Sequence, residues 1–185
     1  MEKILEKIDP TQKEFKIVIM GLDNSGKTSI LLALQKKTNL LSYYSLKPTQ
    51  GLNIVKIEDK DKTYSIWELG GQNRYRESYT KDLKKYIDET DKIIFVIDVQ
   101  DVQRYKVALS YLEEIMNHLK GIEEKPELSI FLHKFDPELE EIESFKSEML
   151  SSRLINRITS IIPSEWEYHI FKSSIYTIFE KTLIQ

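Results

Sequence analysis

A glycine-containing segment near the start of the chain carries the residue types that bind phosphate. Residues 21–28 read Gly-Leu-Asp-Asn-Ser-Gly-Lys-Thr and match the spacing G-x-x-x-x-G-K-S/T. Glycines let the backbone curl around phosphate oxygens, so that successive N–H groups and the positive end of a following helix face the anion. Lys27 can reach the β- and γ-phosphates of a nucleoside triphosphate, and the Thr28 hydroxyl can ligate Mg²⁺. The predicted phosphate-binding residues here are Gly21, Asp23, Asn24, Ser25, Gly26, Lys27, Thr28 and Ser29.

The sequence on either side of this segment favours phosphate binding over a simple turn. Alone, the same residues could form a glycine-containing connection that carries a surface lysine. Here an apolar run from Phe15 to Met20 predicts a buried strand before the segment, and Ser29 to Lys37 reads as a helix after it. This order of strand, turn and helix is the context that the motif requires. The motif indicates nucleotide binding, but it does not select the base.

A second candidate segment follows the apolar run from Leu128 to Leu132 and reads His133-Lys134-Phe135-Asp136. The Asp136 carboxylate can accept hydrogen bonds from N1–H and the 2-amino group of guanine, whereas adenine has no such donor pair. The aliphatic stem of Lys134 can lie over the purine face. The alternative is a solvated loop, because x-K-x-D is a common sequence. Its position after a strand, downstream of the phosphate motif, favours guanine recognition.

The residues after the last apolar run form a third candidate contact with the base. Ser174 and Ile175 follow that run, and their backbone N–H groups could meet the guanine O6. The alternative is that Ser174 caps the closing helix, since serine is a preferred N-cap residue. Both roles are compatible with each other.

The segment Trp67-Glu68-Leu69-Gly70-Gly71-Gln72 could respond to the γ-phosphate. A glycine at position 71 lets the backbone approach that phosphate and donate its N–H, and loss of the phosphate would then release the segment. The Gln72 amide can orient an attacking water, because it offers both a donor and an acceptor. The alternative is a Gly-Gly turn with an exposed glutamine. The phosphate motif upstream favours the catalytic interpretation.

Thr49 is the second candidate ligand for a metal ion. It lies in Lys47-Pro48-Thr49-Gln50-Gly51, directly before an apolar run. Its hydroxyl could ligate Mg²⁺, and its N–H could donate to the γ-phosphate. The alternative is an ordinary turn, which the proline and the glycine alone would predict.

Alternating strands and helices position these segments and predict an α/β fold with a mainly parallel sheet. Ligands in such sheets lie beyond the carboxyl ends of the strands, where the candidate residues occur. The predicted strands are Phe15–Met20, Leu52–Ile57, Thr63–Leu69, Lys92–Asp98, Leu128–Leu132 and Trp166–Phe171. The predicted helices are Ser29–Lys37, Val102–Leu119 with Val107, Leu112, Ile115 and Leu119 on its apolar face, Glu138–Ile162, and Ser174–Leu183.

Composition restricts the protein's class and location. The 185 residues are 41% apolar and 31% charged with a net charge of -3, so we expect one globular domain that does not bind nucleic acid. Cysteine is absent, which excludes disulfides, thiol catalysis, zinc–thiolate sites, palmitoylation and prenylation. Glu2 stands where N-myristoylation needs glycine, so no lipidation is expected. No apolar run reaches the roughly 20 residues that span a bilayer, so the expected location is the cytoplasm.

Together, these segments resemble the small GTPases of the Ras superfamily. The first half is similar to the Arf family in Gly21-Leu22-Asp23-Asn24, in Pro48-Thr49, and in Trp67 before Gly70-Gly71-Gln72. The second half is more similar to the Rag/Gtr GTPases in His133-Lys134-Phe135-Asp136 and Ser174-Ile175-Tyr176. The resemblance implies a P-loop G-domain fold, with a mainly parallel six-stranded sheet and helices on both faces. It also implies GTP and GDP as ligands, Mg²⁺ as cofactor, and exchange, activating and effector proteins as partners.

Two residues depart from the pattern of the resembled families. Glu68 stands where the superfamily usually has an aspartate that holds Mg²⁺ through a water, so Glu68 is a third metal-site candidate. His133 stands where Arf proteins have asparagine. A neutral imidazole can still donate to guanine N7, so His133 is retained as a guanine-binding candidate, and its protonation could make affinity depend on pH.

Residues 1–14 form an amphipathic segment before the predicted domain at 15–185. Arf-like proteins bind membranes through such a helix, but acidic residues here oppose an anionic surface. We therefore expect at most weak, peripheral membrane contact; the alternative is a segment docked on its own domain or frayed. The apolar positions are Met1, Ile4, Leu5 and Ile8, and the acidic ones are Glu2, Glu6 and Asp9.

The leading hypothesis is a GTP-dependent switch, in pathways such as membrane trafficking or nutrient-type signalling. Hydrolysis should be slow without a partner, because no arginine is placed in the sequence to act as a finger in cis. A nucleotide-binding module with little or no hydrolysis is the alternative that Glu68 suggests. A metabolic P-loop kinase would need a lid and clustered arginines, and Arg74, Arg76 and Arg104 are too scattered to indicate one.

Overall fold

One six-stranded sheet organises the protein, as seen in a computed structural model that describes residues 13–35, 42–43, 45–141 and 148–175. The strand order is β2-β3-β1-β4-β5-β6, and all pairs are parallel except the hairpin of β2 and β3. The predicted α/β fold with a mainly parallel six-stranded sheet is confirmed. The strands are β1 Lys13–Gly21, β2 Leu52–Asp59, β3 Lys62–Leu69, β4 Lys92–Asp98, β5 Glu127–His133 and β6 Tyr168–Ser173.

The central strands are continuous apolar runs because both of their faces are covered, as is usual in parallel sheets. Alternate residues of β1 enter different cores: Val18 and Met20 belong to a large core, and Ile19 to a smaller one on the opposite face. Helix α1 packs over the smaller core, and the other long helices pack over the larger one. The helices are α1 Lys27–Leu34, α2 Asn73–Lys81, α3 Leu83–Ile87, α4 Tyr105–Leu119 and α5 Glu148–Ile161, with 3₁₀ turns at Val102–Arg104 and Pro137–Glu141.

The structure corrects several predicted boundaries. Val102 lies in a 3₁₀ turn rather than in a helix, and Val107 is 43% exposed, so its assignment to the apolar face of α4 was wrong. The other three predicted positions, Leu112, Ile115 and Leu119, are buried as expected, and Tyr105, Ala108 and Leu109 complete the buried face in place of Val107. The last strand lies two residues later than predicted, and Trp166 instead packs into the core before it.

Other helices also differ from the prediction. Helix α1 begins two residues earlier than predicted, at Lys27. Of the helix predicted from Glu138 to Ile162, the structure describes a 3₁₀ turn at Pro137–Glu141 and α5, while residues 142–147 lie outside the described residues. Helices α2 and α3, which were not predicted, fill the region after Gln72. Ser174 and Ile175 have irregular backbone, whereas the rest of the predicted closing helix and residues 1–12 lie outside the described residues. Among the helices that the structure describes, none is long and apolar enough to cross a bilayer.

Candidate functional site

The loop between β1 and α1 has the tight backbone that the phosphate motif requires. Gly21 and Gly26 have positive φ angles of 140° and 93°, which side-chain-bearing residues rarely adopt. A Cβ atom on Gly21 would lie 2.3 Å from the carbonyl oxygen of Val96, and one on Gly26 would lie 2.3 Å from Cδ2 of His133. Glycine at these two positions therefore lets the loop approach both β4 and β5.

Lys27 lies inside this loop. Its side chain is only 4% exposed, and Nζ donates hydrogen bonds to the carbonyl oxygens of Gly21 at 3.1 Å and Leu22 at 2.6 Å. Burial lowers the pKa of this ammonium to about 8, although the charges of Glu68 and Asp23 oppose the shift. Among the described residues no carboxylate hydrogen-bonds to Lys27, so a phosphate at this loop would supply an anion in direct contact with the buried cation.

Three oxygen atoms converge next to Lys27. The Thr49 hydroxyl lies 3.1 Å from the Thr28 hydroxyl and donates to Glu68 Oε1 at 3.0 Å. The Thr28 hydroxyl donates to the same carboxylate oxygen. Glu68 is fully buried, and Asn53 Nδ2 donates to its other oxygen at 3.2 Å.

These oxygens fit a small hard cation. Mg²⁺ prefers oxygen ligands at about 2.1 Å in octahedral geometry, which places neighbouring ligands about 3 Å apart. The separations of Thr49 Oγ1 from its two oxygen neighbours, 3.1 and 3.0 Å, match that spacing. Within the described part of the chain no cluster of three or more His, Cys, Asp or Glu residues could hold a metal. The hydroxyls would therefore be essential to a metal site here.

A cavity of about 210 Å³ joins the lysine and the converging oxygens. Gly71 and Gln72, which lie more than 40 residues after Lys27 in the sequence, also line this cavity. Gly21 and Ser25 do not line it; Ser25 is buried under the loop at 2% exposure, and its hydroxyl lies 3.5 Å from Lys27 Nζ. The lining residues are Asp23, Asn24, Gly26, Lys27, Thr28, Ser29, Leu46, Lys47, Pro48, Thr49, Glu68, Gly71 and Gln72.

The start of the segment after β3 packs directly on the phosphate loop. A Cβ atom on Gly71 would lie 2.1 Å from the backbone nitrogen of Asp23, so only glycine allows this approach. Gln72 immediately precedes α2, and its carbonyl accepts the Arg76 N–H at 3.0 Å. Arg76 Nε in turn donates to the Gly71 carbonyl at 3.0 Å. The first turn of α2 thus fixes the backbone at Gly71 and Gln72.

The carboxyl ends of β4, β5 and β6 form the neighbouring part of the site. Asp98, His133 and Ser173 are in register across these strands. His133 is 3% exposed, and its Nδ1 lies 3.0 Å from the Ser173 hydroxyl. Burial lowers the pKa of this imidazole, with Lys134 adding to the shift, so the neutral form is favoured. Because the same ring contacts Gly26, it connects this part of the site to the phosphate loop.

Both oxygens of the Asp136 carboxylate are held by side chains. Ser174 Oγ donates to Oδ1, and Gln100 Nε2 donates to Oδ2 at 2.7 Å. Lys134 has a left-handed backbone with φ of 60°, and its Nζ pairs with Asp98 Oδ2 at 2.7 Å. The structure therefore brings the predicted Asp136, Lys134 and Ser174 together. Ile175 follows them with 37% of its surface exposed.

Two residues that sequence reasoning missed lie in the connection after β4. The Arg104 guanidinium donates two hydrogen bonds to Asp23 of the phosphate loop. One goes to the Asp23 carboxylate and the other to the Asp23 backbone carbonyl, each at 3.1 Å. Gln100 contacts Asp136 as described above. The one available signal was the position of Asp98 at the end of a predicted strand, the place where ligand-binding residues concentrate.

A larger groove of about 780 Å³ lies elsewhere, on the face of the sheet that carries α1. Its lining is mainly apolar, with Ile17, Leu34, Ile57 and Tyr64 among its residues. Phosphate recognition needs convergent donors and positive charge, so the smaller cavity around Lys27 is the better candidate site despite its size.

Comparison with known proteins identifies the family. The profile of the ADP-ribosylation factor (Arf) family matches residues 1–177. ADP-ribosylation factor-like protein 2 of Dictyostelium discoideum is 34% identical over 117 residues, which cover 63% of this chain and 59% of that protein. ADP-ribosylation factor-like protein 2 of Arabidopsis thaliana is 37% identical over 114 residues, which cover 61% and 57% of the two chains. The match thus spans less than two thirds of these relatives.

Solved structures support the same fold. The Arl6 BBS3 small GTPase of Trypanosoma brucei, determined with a bound nucleotide analogue, GppNp, superposes with a TM-score of 0.64 and 23% identity. The similarity covers 88% of this chain and 87% of that chain. The mammalian SRP receptor has the same TM-score of 0.64 at 14% identity. The P-loop small-GTPase fold is confirmed, and the chain belongs to the ADP-ribosylation factor family.

Proposed function

We propose that this member of the ADP-ribosylation factor family is a molecular switch that binds GTP and GDP with Mg²⁺ and hydrolyses GTP slowly. The observation that carries this proposal is the convergence of three groups at one edge of the sheet. Lys27 lies at the phosphate end, Thr28, Thr49 and Glu68 lie beside it, and Asp136 lies at the base end. The contact between Gly26 and His133 joins the two ends.

In the proposed reaction, the protein holds the phosphates and positions a water. Lys27 and the backbone N–H groups of the loop bind the phosphate oxygens, and Gly71 N–H binds the γ-phosphate. Gln72 orients the attacking water, because its amide can accept from the water and donate to an oxygen. Bound Mg²⁺ would neutralise phosphate charge, with Thr28 and Thr49 as its ligands and Glu68 acting through a water.

Hydrolysis without a partner should be slow because the nearby arginines already have other contacts. Among the described residues, Arg104 is bound to Asp23 and Arg76 to the Gly71 carbonyl. Each therefore supports the loop rather than the reacting phosphate. An activating protein that supplies a free arginine could add the missing charge. We also propose an exchange factor and effectors as partners, since a switch needs both.

We propose a G domain at 15–185 after the amphipathic segment at 1–14, in the cytoplasm or at the periphery of a membrane. The Arf resemblance of the first half suggests membrane trafficking, whereas the Rag/Gtr resemblance at His133–Asp136 suggests nutrient-type signalling. His133 and the backbone at Ser174 and Ile175 are proposed contacts of the base.

Identification of the co-purifying nucleotide tests the proposal directly. The protein should be purified without added ligand in Mg²⁺ buffer, denatured, and its released nucleotides separated by chromatography. We expect GDP in close to equimolar amount, because a site with many charge-assisted phosphate contacts releases its ligand slowly. Protein that is empty and that also ignores added GDP and GTP in calorimetry would refute the proposal.

A second candidate function is nucleotide binding with little or no turnover, and Glu68 favours it. This glutamate is fully buried, and its carboxylate engages both threonine hydroxyls directly. A carboxylate one methylene longer than aspartate could displace the water through which aspartate usually acts. The nucleotide would then bind without a productive metal geometry.

Single-turnover hydrolysis of GTP separates these two functions. We expect Gln72→Leu to slow hydrolysis by about 10- to 100-fold while leaving GTP affinity within about 3-fold, because leucine removes the water-orienting amide only. Gln50→Leu, which changes an exposed glutamine outside the cavity, is the matched control. A wild-type rate that is no faster than that of Gln72→Leu or of GTP in buffer alone would instead support binding without turnover.

A further inference from the structure

We infer that Gln100 determines base specificity in the proposed nucleotide site, because its amide fixes the orientation of the Asp136 carboxylate. The inference rests on the proposed function and extends it to a residue outside the His133–Asp136 segment. Gln100 lies in the connection between β4 and the 3₁₀ turn at Val102–Arg104. Strand β4 is the neighbour of β5, which leads into the His133–Asp136 segment.

The side chain of Gln100 is held at both hydrogens of its amide nitrogen. Nε2 donates to Asp136 Oδ2 at 2.7 Å and to the backbone carbonyl of Lys134 at 2.8 Å. An amide NH₂ has two hydrogens, so these two acceptors use its full donor capacity and define which end of the amide faces Asp136. The two contacts therefore tie Gln100 to both ends of the segment from Lys134 to Asp136.

The backbone of Gln100 is anchored as well. Its N–H donates to Asp98 Oδ1 at 2.9 Å, while the other oxygen of Asp98 accepts from Lys134 Nζ at 2.7 Å. Asp98 is only 9% exposed and therefore gives a fixed point at the end of β4. A closed set of hydrogen bonds thus links Asp98, Gln100 and Asp136 and includes Lys134.

The acceptor sites of the Asp136 carboxylate suit guanine. An ionised carboxylate has about four lone-pair sites, two on each oxygen. Ser174 uses one site on Oδ1, and Gln100 uses one on Oδ2. No other donor to this carboxylate is found among the residues that the structure describes, so one site remains on each oxygen, which matches in number the N1–H and 2-amino donors of guanine. A carboxylate fixed at both oxygens can accept both donors without losing rotational freedom on binding.

Hypoxanthine provides the discriminating ligand, because it keeps N1–H but lacks the 2-amino group. It needs only one of the two free acceptor sites, and a carboxylate that rotates can still supply one. Loss of Gln100 should therefore weaken guanine binding more than hypoxanthine binding. A residue that only stabilised the fold would weaken both to the same extent.

The test is the variant Gln100→Met, which keeps the length of the side chain and removes its donors. GDP, IDP and ADP are titrated by calorimetry in Mg²⁺ buffer. We expect GDP affinity to fall by about 3- to 10-fold and IDP affinity by less than about 2-fold, so that the GDP/IDP ratio falls. Gln103→Met, at an exposed position three residues away, should leave all three affinities unchanged.

A second variant distinguishes a loss of base specificity from a general loss of folding. Gln100→Glu keeps the shape but places a second carboxylate against Asp136, so the GDP/IDP ratio should fall further than in Gln100→Met, while a cooperative thermal unfolding transition shows that the variant is folded. An unaltered GDP/IDP ratio in both variants would overturn the inference, as would tighter GDP binding, which would mean that Gln100 competes with the base. Wild-type protein that does not prefer GDP to ADP would instead refute the proposed function itself.

Discussion

Lys27→Met is expected to lower the affinity for GDP and GTP by about 100-fold or more. The lysine is 4% exposed, and in the described part of the chain its hydrogen-bond partners are carbonyl and hydroxyl oxygens, so the phosphates would be the anions in direct contact with it. Removing one member of a buried, hydrogen-bonded charge pair costs about 2–5 kcal/mol or more in binding. Methionine keeps the unbranched shape of the side chain. Fluorescence or calorimetric titration in Mg²⁺ buffer measures the loss.

Lys47→Met is the matched control for this variant. Lys47 is an exposed lysine that also lines the cavity, so it tests whether any positive charge near the site has the same effect. We expect a change of less than about 3-fold, because an exposed charge is screened by water and salt. Equal losses in the two variants would contradict a special role for the buried lysine.

The pKa of Lys27 adds a second readout. In the free protein this pKa is about 8, below its ordinary value of 10.5, and bound phosphate should raise it again. Binding at pH 9 should therefore take up close to one proton, and affinity should be full below pH 8 and decline as pH rises above it. The buried charge of Lys27 costs the free protein stability below pH 8, and the free energy of unfolding should rise as pH increases from about 8 to 10.5, because the unfolded chain binds more protons in that range. Calorimetry in two buffers of different ionisation enthalpy measures the uptake, and Lys27→Met should abolish it.

The phosphate loop could be predicted from the sequence because all the residues that define its geometry are close together in the chain. The phosphate loop needs only a strand, two conformationally free glycines, a lysine and a helix start, all within one short segment. The order of β and α elements likewise follows from apolar patterning and from the rule that parallel strands need crossover helices. The hairpin of β2 and β3 is the antiparallel pairing in the described part of the sheet, and the polar residues Lys60 and Asp61 separate its strands.

The contacts that connect the candidate site could not be predicted in this way. Arg104 reaches Asp23 across 81 residues, and Gln100 reaches Asp136 across 36. Neither pair can be recognised from a characteristic spacing or periodicity in the sequence, because tertiary packing alone brings the two side chains together. Arg104 also changes the electrostatics of the loop: its guanidinium neutralises the Asp23 carboxylate, which would otherwise repel a bound phosphate.

Asp136→Asn is expected to change the preferred base. The carboxylate accepts from two donors of guanine, whereas an asparagine amide has one acceptor and one donor and would direct N–H groups at guanine N–H groups. We expect GTP affinity to fall by about 100-fold, since unpaired polar groups in a binding site reject a ligand strongly. Xanthine has an oxygen in place of the 2-amino group, so XTP should bind the variant more tightly than GTP does. Competitive titration of GTP, XTP and ATP measures the preference.

Asp61→Asn makes the same chemical change at an exposed position in the β2–β3 turn, at the end of β3 opposite the site. It should leave all three affinities as in the wild type, which separates base recognition from a general effect of lost charge. The Asp136 variant should also remain folded, because asparagine can still accept from the Ser174 hydroxyl and the lost contact with Gln100 involves an exposed side chain. If Asp136→Asn retains the wild-type preference for GTP over XTP, this carboxylate does not read the base, and the base end of the site must be placed elsewhere.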